Sequence, residues 1–152
     1  MKFLKIKNHL IFLDIDGTIT ADNSTEIENK MLYFIENLQK NNKVYLCTNS
    51  RNHYRNQQIS KITKLEILKT TPKKPSSKIL NSLSTVEREM PKIVIGDKFL
   101  TDRFFARNIG AEFILVKRIL SGNERFLIKT INFIDDLFDF SFGNFLKKGL
   151  MQ

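Results

Sequence analysis

Cys47 is the only cysteine in 152 residues. A lone thiol excludes an intramolecular disulfide and leaves no paired thiolates for a structural metal, so a reducing, intracellular setting is expected. A chain of this length can bury a core without such staples. Long apolar runs are missing too. The run from Leu10 to Ile15 is short and interrupted by Asp14, which excludes a membrane span or a secretory signal peptide from this stretch. No internal repeat, low-complexity tract or linker breaks the chain, and one domain over residues 1–152 is expected. Acidic residues are scarce: 16 Asp and Glu face 25 Lys and Arg, a formal net charge of +9. That balance favours anionic partners, with phosphorylated metabolites, anionic lipid surfaces and nucleic acid all open. The basic residues are scattered, as on a solvated surface.

What is present alternates. Leu10 to Ile15 reads as a buried strand ended by Gly17-Thr18. From Thr25 to Lys40, Ile27, Met31, Phe34, Ile35 and Leu38 recur at helical spacing, with Ser24 or Thr25 as N-cap. Val44 to Cys47 forms a second strand ending in Thr48-Asn49-Ser50. A helix over about 52–62, a short strand at 66–68 and a helix opening after Pro75 follow. Lys92 to Ile95 is the clearest later strand, ending at Gly96-Asp97; a helix over about 102–108, closed by Gly110, leads to a strand at 112–116. The rhythm predicts an α/β fold with a doubly wound, Rossmann-like parallel sheet in three layers, whose ligands bind beyond the carboxyl ends of the strands. Beyond Ser121, Leu127, Ile131, Ile134, Phe138, Phe142 and Phe145 trace an amphipathic helical segment over 124–148. Its acidic residues Glu124, Asp135, Asp136 and Asp139 offset Arg125, Lys129, Lys147 and Lys148, which favours packing on the sheet over membrane contact.

The chemistry concentrates at strand ends. Asp14 and Asp16, two apart in an extended segment, point to one side, and two close carboxylates need a cation or a shared proton. Bound Mg²⁺ is the natural solution, with Asp14 as a nucleophile that forms an aspartyl phosphate and Asp16 as the acid/base at the leaving oxygen; the plain alternative is an acidic turn. Thr48 and Asn49 follow the second strand, and Asp97 and Asp102 follow the fourth, so the same crevice gathers them. A lysine from Lys73-Lys74-Pro75 would neutralise a transferring phosphoryl group there, unless that stretch is only a solvated loop. Arg51 and Arg55 follow Thr48, and either reach a substrate's head group or form a solvated helix face. His9 and His53 have no partner at ligand spacing.

With these elements in this order, the sequence resembles the haloacid dehalogenase (HAD) superfamily of phosphatases over essentially its whole length. Its first motif looks like Asp14-Ile-Asp16-Gly17-Thr18, its second like Thr48, its third like Lys74 before Pro75, and its fourth like Gly96-Asp97 with Asp102. The resemblance implies Mg²⁺ held by Asp14, the main-chain carbonyl of Asp16, and Asp97, with Asp102 a ligand or its support. Thr48, Asn49 and Lys74 would contact the substrate's phosphoryl group. The 31 residues between Asp16 and Thr48 and the 25 between Thr48 and Lys74 leave no room for a cap domain, so an open site of the capless subclass (III, IIIA) is expected. Within it, Lys73-Lys74-Pro75 and the spacing Gly-Asp-x-x-x-Thr-Asp at 96–102 are similar to phosphatidylglycerophosphate phosphatases, although Gly17 stands where many of these relatives carry Asn. That likeness implies a phosphorylated glycerolipid substrate, presented at an anionic membrane surface, with no nucleic acid partner. A soluble sugar phosphate, nucleotide or phosphoprotein is the alternative. The expected location is cytoplasmic, including the inner face of a membrane, and the sequence leaves the oligomeric state open.

Overall fold

The computed structural model describes residues 6–68 and 72–120. Five strands form one parallel sheet in the order β3-β2-β1-β4-β5: β1 is Leu10–Leu13, β2 Lys43–Leu46, β3 Glu66–Ile67, β4 Lys92–Gly96 and β5 Glu112–Leu115. In register, Leu10 to Leu13 pair with Lys43 to Leu46 on one side and with Lys92 to Ile95 on the other. Strand order therefore reverses beside β1, and the carboxyl ends of β1, β2 and β4 lie level around that switch point. This is the doubly wound arrangement that the alternation predicts.

The two-residue period of the strands sorts their apolar side chains into two cores. Ile11, Leu13, Val44, Leu46, Ile93 and Ile95 face Ile35 and Leu38 of α1 (Asn29–Gln39) and Ile59 of α2 (His53–Thr63). On the opposite face Leu10, Phe12, Tyr45 and Val94 meet Ile79 and Leu83, together with Phe105, Ala106 and Ile109. Phe12 packs edge-on against Phe105 with ring centroids 5.4 Å apart. Burying each such large apolar side chain contributes roughly 1.5–3 kcal/mol, so the strands at the site are among the most firmly held backbone in the chain.

Three expected helices differ in detail. α1 starts at Asn29 behind Glu28, without a side-chain cap from Ser24 or Thr25. The segment before it is committed elsewhere: Thr20 Oγ1 donates to the Glu26 carbonyl at 2.7 Å, and Arg55 Nε donates to the Ser24 carbonyl, also at 2.7 Å. The helix after Pro75 divides into a 3₁₀ segment, Ser77–Ser82, and α3, Thr85–Glu89, which Ser84 and Glu87 open with a reciprocal capping box. The helix expected from Asp102 is a wide π turn, Phe99–Arg103, continuing into α4, Phe104–Asn108. In that turn the Asp102 and Arg103 amides both donate to the Lys98 carbonyl, at 3.1 and 3.3 Å. The amphipathic segment 124–148 lies outside the described residues.

Among the described residues, α1 and β2 lie between Asp16 and Thr48, and α2 and β3 between Thr48 and Lys74. No cap covers the carboxyl ends of the strands among the described residues.

Candidate active site

Beyond those ends opens a cleft of about 350 Å³ lined by Asp14, Asp16, Asp22, Asn23, Thr48, Asn49, Ser50, Lys74, Lys98 and Thr101. Four loops build it. Asp14 follows β1 directly, its amide donating to the Ile95 carbonyl at 2.9 Å, so the sheet itself fixes the nucleophile candidate. Gly17 then turns the chain with φ +82°, a conformation that few residues except glycine take readily. A Cβ there would sit 2.3 Å from Asp97 Oδ2, so the missing side chain lets the β1 and β4 loops close together.

At the centre is Lys74, 5% exposed. Its Nζ lies 2.6 Å from Asp14 Oδ1 and 2.5 Å from Asp102 Oδ1. Asp102, fully buried, points inward because the π turn rotates it over Gly96, and its other oxygen accepts the Lys98 amide at 3.1 Å. A Cβ on Gly96 would lie 2.4 Å from that carboxyl carbon, which excludes any larger residue without rearrangement. Asn49 holds Lys74 from behind. Its amide oxygen accepts the Lys74 N–H at 2.9 Å and its amide nitrogen donates to the Lys74 carbonyl at 3.0 Å. The Asn49 side chain, expected at the substrate, is thus committed to the lysine's main chain. Lys73 is exposed, and its ammonium donates to the Asn49 carbonyl.

The structure places Asp14, Thr48, Lys74, Asp97 and Asp102 at this one edge of the sheet. Among the described residues, one oxygen each from Asp14, Asp97 and Asp102 lies within 4.8 Å of the others, a buried all-oxygen set that suits a small hard cation. The Asp16 carboxylate is not one of the three, and the resemblance implies the main-chain carbonyl of Asp16 as the ligand. Arg55 Nη1 takes Asp16 Oδ1 at 2.8 Å and Thr48 Oγ1 donates to Asp16 Oδ2 at 3.3 Å, so the side chain is turned aside. The Asp16 carbonyl instead faces the site, where it accepts Lys98 Nζ at 2.8 Å. Thr18 Oγ1 lies 3.2 Å from Asp97 Oδ1.

Three cations at the site have roles that the sequence reading did not assign. Arg55 is 3% exposed on α2, so a solvated helix face does not describe it; Arg51 is exposed. Lys98 Nζ also lies 3.4 Å from Asp97 Oδ1. Arg118, just past β5, places Nε 2.5 Å from Asp97 Oδ2. Four carboxylates (Asp14, Asp16, Asp97, Asp102) are thereby matched by four cations (Lys74, Lys98, Arg55, Arg118). His9 and His53 take no part: His9 Nδ1 contacts the Lys7 carbonyl at 2.7 Å, and His53 is exposed.

Burial and these charges set the titration. Burial pushes the Asp102 carboxyl up, to about 7, with Asp14 adding to the shift and Lys74 opposing it. Asp16 is raised by burial and by Asp14, against the pull of Arg55, which favours a carboxyl able to carry a proton. Burial alone would lower Lys74, but Asp102 and Asp14 overcome it and keep the ammonium charged. Burial pushes the Cys47 thiol up to about 12, so it is no nucleophile.

A profile of the family described as Mitochondrial PGP phosphatase matches residues 4–121, well over half of the chain. No curated protein and no solved structure matches. The family's description is mitochondrial, which is not the cytoplasmic setting expected from the sequence. Among the described residues, no helix is long and apolar enough to cross a membrane.

Proposed function

The chain belongs to the mitochondrial PGP phosphatase family and is a phosphoric monoester hydrolase; on that premise we propose that it removes the terminal phosphate of phosphatidylglycerophosphate through a phosphorylated Asp14. The observation that carries this reading is Lys74, whose ammonium lies within 2.6 Å of both Asp14 and Asp102 at the sheet's switch point. A carboxylate fixed by strand hydrogen bonds, with a buried cation beside it, is arranged to attack phosphorus while the cation neutralises the equatorial oxygens.

Asp16 lines the same cleft and has its carboxyl raised by burial. It donates a proton to the leaving glycerol oxygen and then accepts one from the water that opens the aspartyl phosphate. Thr48 Oγ1, beside Asp16, and the Lys74 ammonium hold the phosphoryl oxygens. Oxygens of Asp14, Asp97 and the Asp16 main chain would hold Mg²⁺, with Asp102 in support. Bound there, Mg²⁺ supplies charge neutralisation at the phosphoryl group. The uncapped cleft suits a head group presented by a bilayer, and a net charge of +9 favours an anionic one.

The test is Mg²⁺-dependent phosphate release from phosphatidylglycerophosphate in mixed micelles, set against soluble sugar phosphates, nucleotides and an aryl phosphate. Preference for the lipid, lost in Asp14→Asn, is the expected result. Preference for a soluble ester would keep the mechanism and discard the lipid, and Asp14→Asn turnover equal to wild type would discard the mechanism.

A further inference from the structure

Lys98 stands where two of the site's oxygens converge. Its Nζ is 2.8 Å from the Asp16 carbonyl oxygen and 3.4 Å from Asp97 Oδ1. Asp97 contributes a carboxylate oxygen to the buried three-carboxylate set, and the Asp16 carbonyl is among the oxygens that would hold Mg²⁺ in the reading above; an ammonium at hydrogen-bonding distance shields both atoms from a cation. The main chain of Lys98 is fixed, since its N–H donates to Asp102 Oδ2 and its carbonyl accepts the two amides of the π turn. The side chain is not fixed in the same way: it lines the cleft, is 18% exposed, and spans four rotatable carbons. Asp97 has a second, separate anchor in Arg118, which holds Oδ2 and leaves Oδ1 to Lys98 and Thr18. Lys98 can therefore leave without setting Asp97 adrift.

We infer that the Lys98 ammonium competes directly with the divalent cation for the Asp16 carbonyl and the Asp97 carboxylate, and yields them by swinging into the cleft when the cation binds. The inference rests on the metal reading above. It makes Lys98 a positioning residue: it keeps the two oxygens converged, and once released it adds a positive charge to the phosphoryl pocket. Arg118 has the opposite relation to the cation, because it orders Asp97 from the far oxygen and shares no ligand atom with the metal.

The experiment is calorimetric titration of Mg²⁺ into wild type, Lys98→Met and Arg118→Gln at fixed ionic strength, without phosphate. Each variant loses one positive charge beside Asp97, so a general field effect would tighten Mg²⁺ binding equally in both. Direct competition predicts about tenfold tighter binding for Lys98→Met and unchanged or weaker binding for Arg118→Gln. Thermal melts give a second readout, in which Mg²⁺ raises the melting temperature of Lys98→Met more than that of wild type. Lys98→Gln replaces Lys98→Met if the latter does not fold. Equal tightening in both variants, or Lys98→Met binding no tighter than wild type, overturns the inference and leaves the metal reading standing. Absence of Mg²⁺ binding by all three proteins overturns both.

Discussion

The Arg55 guanidinium lies 2.8 Å from the Asp16 carboxylate, and their side chains are only 4% and 18% exposed. Arg55 also ties down the loop after Asp16 through the Ser24 carbonyl, so one side chain sets both the orientation and the surroundings of the proposed acid. Arg55→Gln is expected to lower kcat by roughly 10²-fold with KM changed far less, because the substrate still meets Thr48 and Lys74 while proton transfer loses its alignment. Arg55→Lys, which keeps the charge but not the fork, should recover part of that loss. Steady-state kinetics of both variants provides the check; a rise in KM with kcat unchanged would place Arg55 on the substrate instead.

Asn49 and Lys74 form a reciprocal pair through the asparagine amide and the lysine main chain. Removing the amide leaves a buried lysine loop without two of its hydrogen bonds, each worth about 1 kcal/mol net. Asn49→Ala is therefore expected to lower stability by about 1–3 kcal/mol and to reduce activity through misplacement of Lys74. Asn49→Asp, which keeps an oxygen for the Lys74 N–H but has no donor for its carbonyl, should fall between the two. Denaturant unfolding and kcat/KM on the same preparations test both.

Much of the fold and of the reacting centre is legible in the sequence because both depend on strand ends. Short apolar runs fix where β1, β2 and β4 stop, and right-handed crossovers bring those stops to one edge, so Asp14, Thr48 and Asp97 converge whatever the loops do. Cation partners are harder to read, since a long side chain can reach several carboxylates. Arg55 did leave a signal: with Asn56, Ile59 and Thr63 it shares the buried stripe of α2, a spacing at odds with a solvated face. Lys98 and Arg118 left only their positions, one beside Asp97 and one beyond the last strand. The π turn was hidden because helical periodicity does not reveal a single wide turn, made here so that Asp102 faces Lys74.

Asp97 shares its carboxylate among Thr18, Lys98 and Arg118 while contributing an oxygen to the all-carboxylate set. Asp97→Asn keeps the shape and removes the charge. Half-maximal phosphate release should then require about 10–100-fold more Mg²⁺, with activity largely restored at saturation. Chelation of divalent ions should abolish wild-type turnover, and adding Mg²⁺ back should restore it. A variant whose Mg²⁺ requirement equals that of wild type would remove Asp97 from the ligands.

Far from the cleft, the Tyr45 hydroxyl donates to Glu87 Oε1 at 2.6 Å, joining β2 to α3, whose first turn Ser84 and Glu87 cap. The Tyr45 hydroxyl, followed by the Ser84 hydroxyl and amide, holds the Glu87 carboxyl down at about 2 from its ordinary 4.5. A depressed folded-state value means that the charged form is favoured by folding, so the stabilisation is fully present above about 4.5 and is lost as pH falls toward 2. Glu87→Gln keeps one acceptor oxygen, puts an NH₂ donor in place of the other, and cannot titrate. Melting temperatures of wild type and Glu87→Gln should therefore differ most near neutral pH, with the gap closing as the pH approaches 2, while every other carboxylate titrates alike in both proteins. Tyr45→Phe should narrow the same pH window, because it removes the largest cause of the shift, and should cost about 0.5–1.5 kcal/mol at neutral pH. A gap between wild type and Glu87→Gln that stays constant across acid pH would mean that the Tyr45 hydroxyl does not hold the charged form of Glu87.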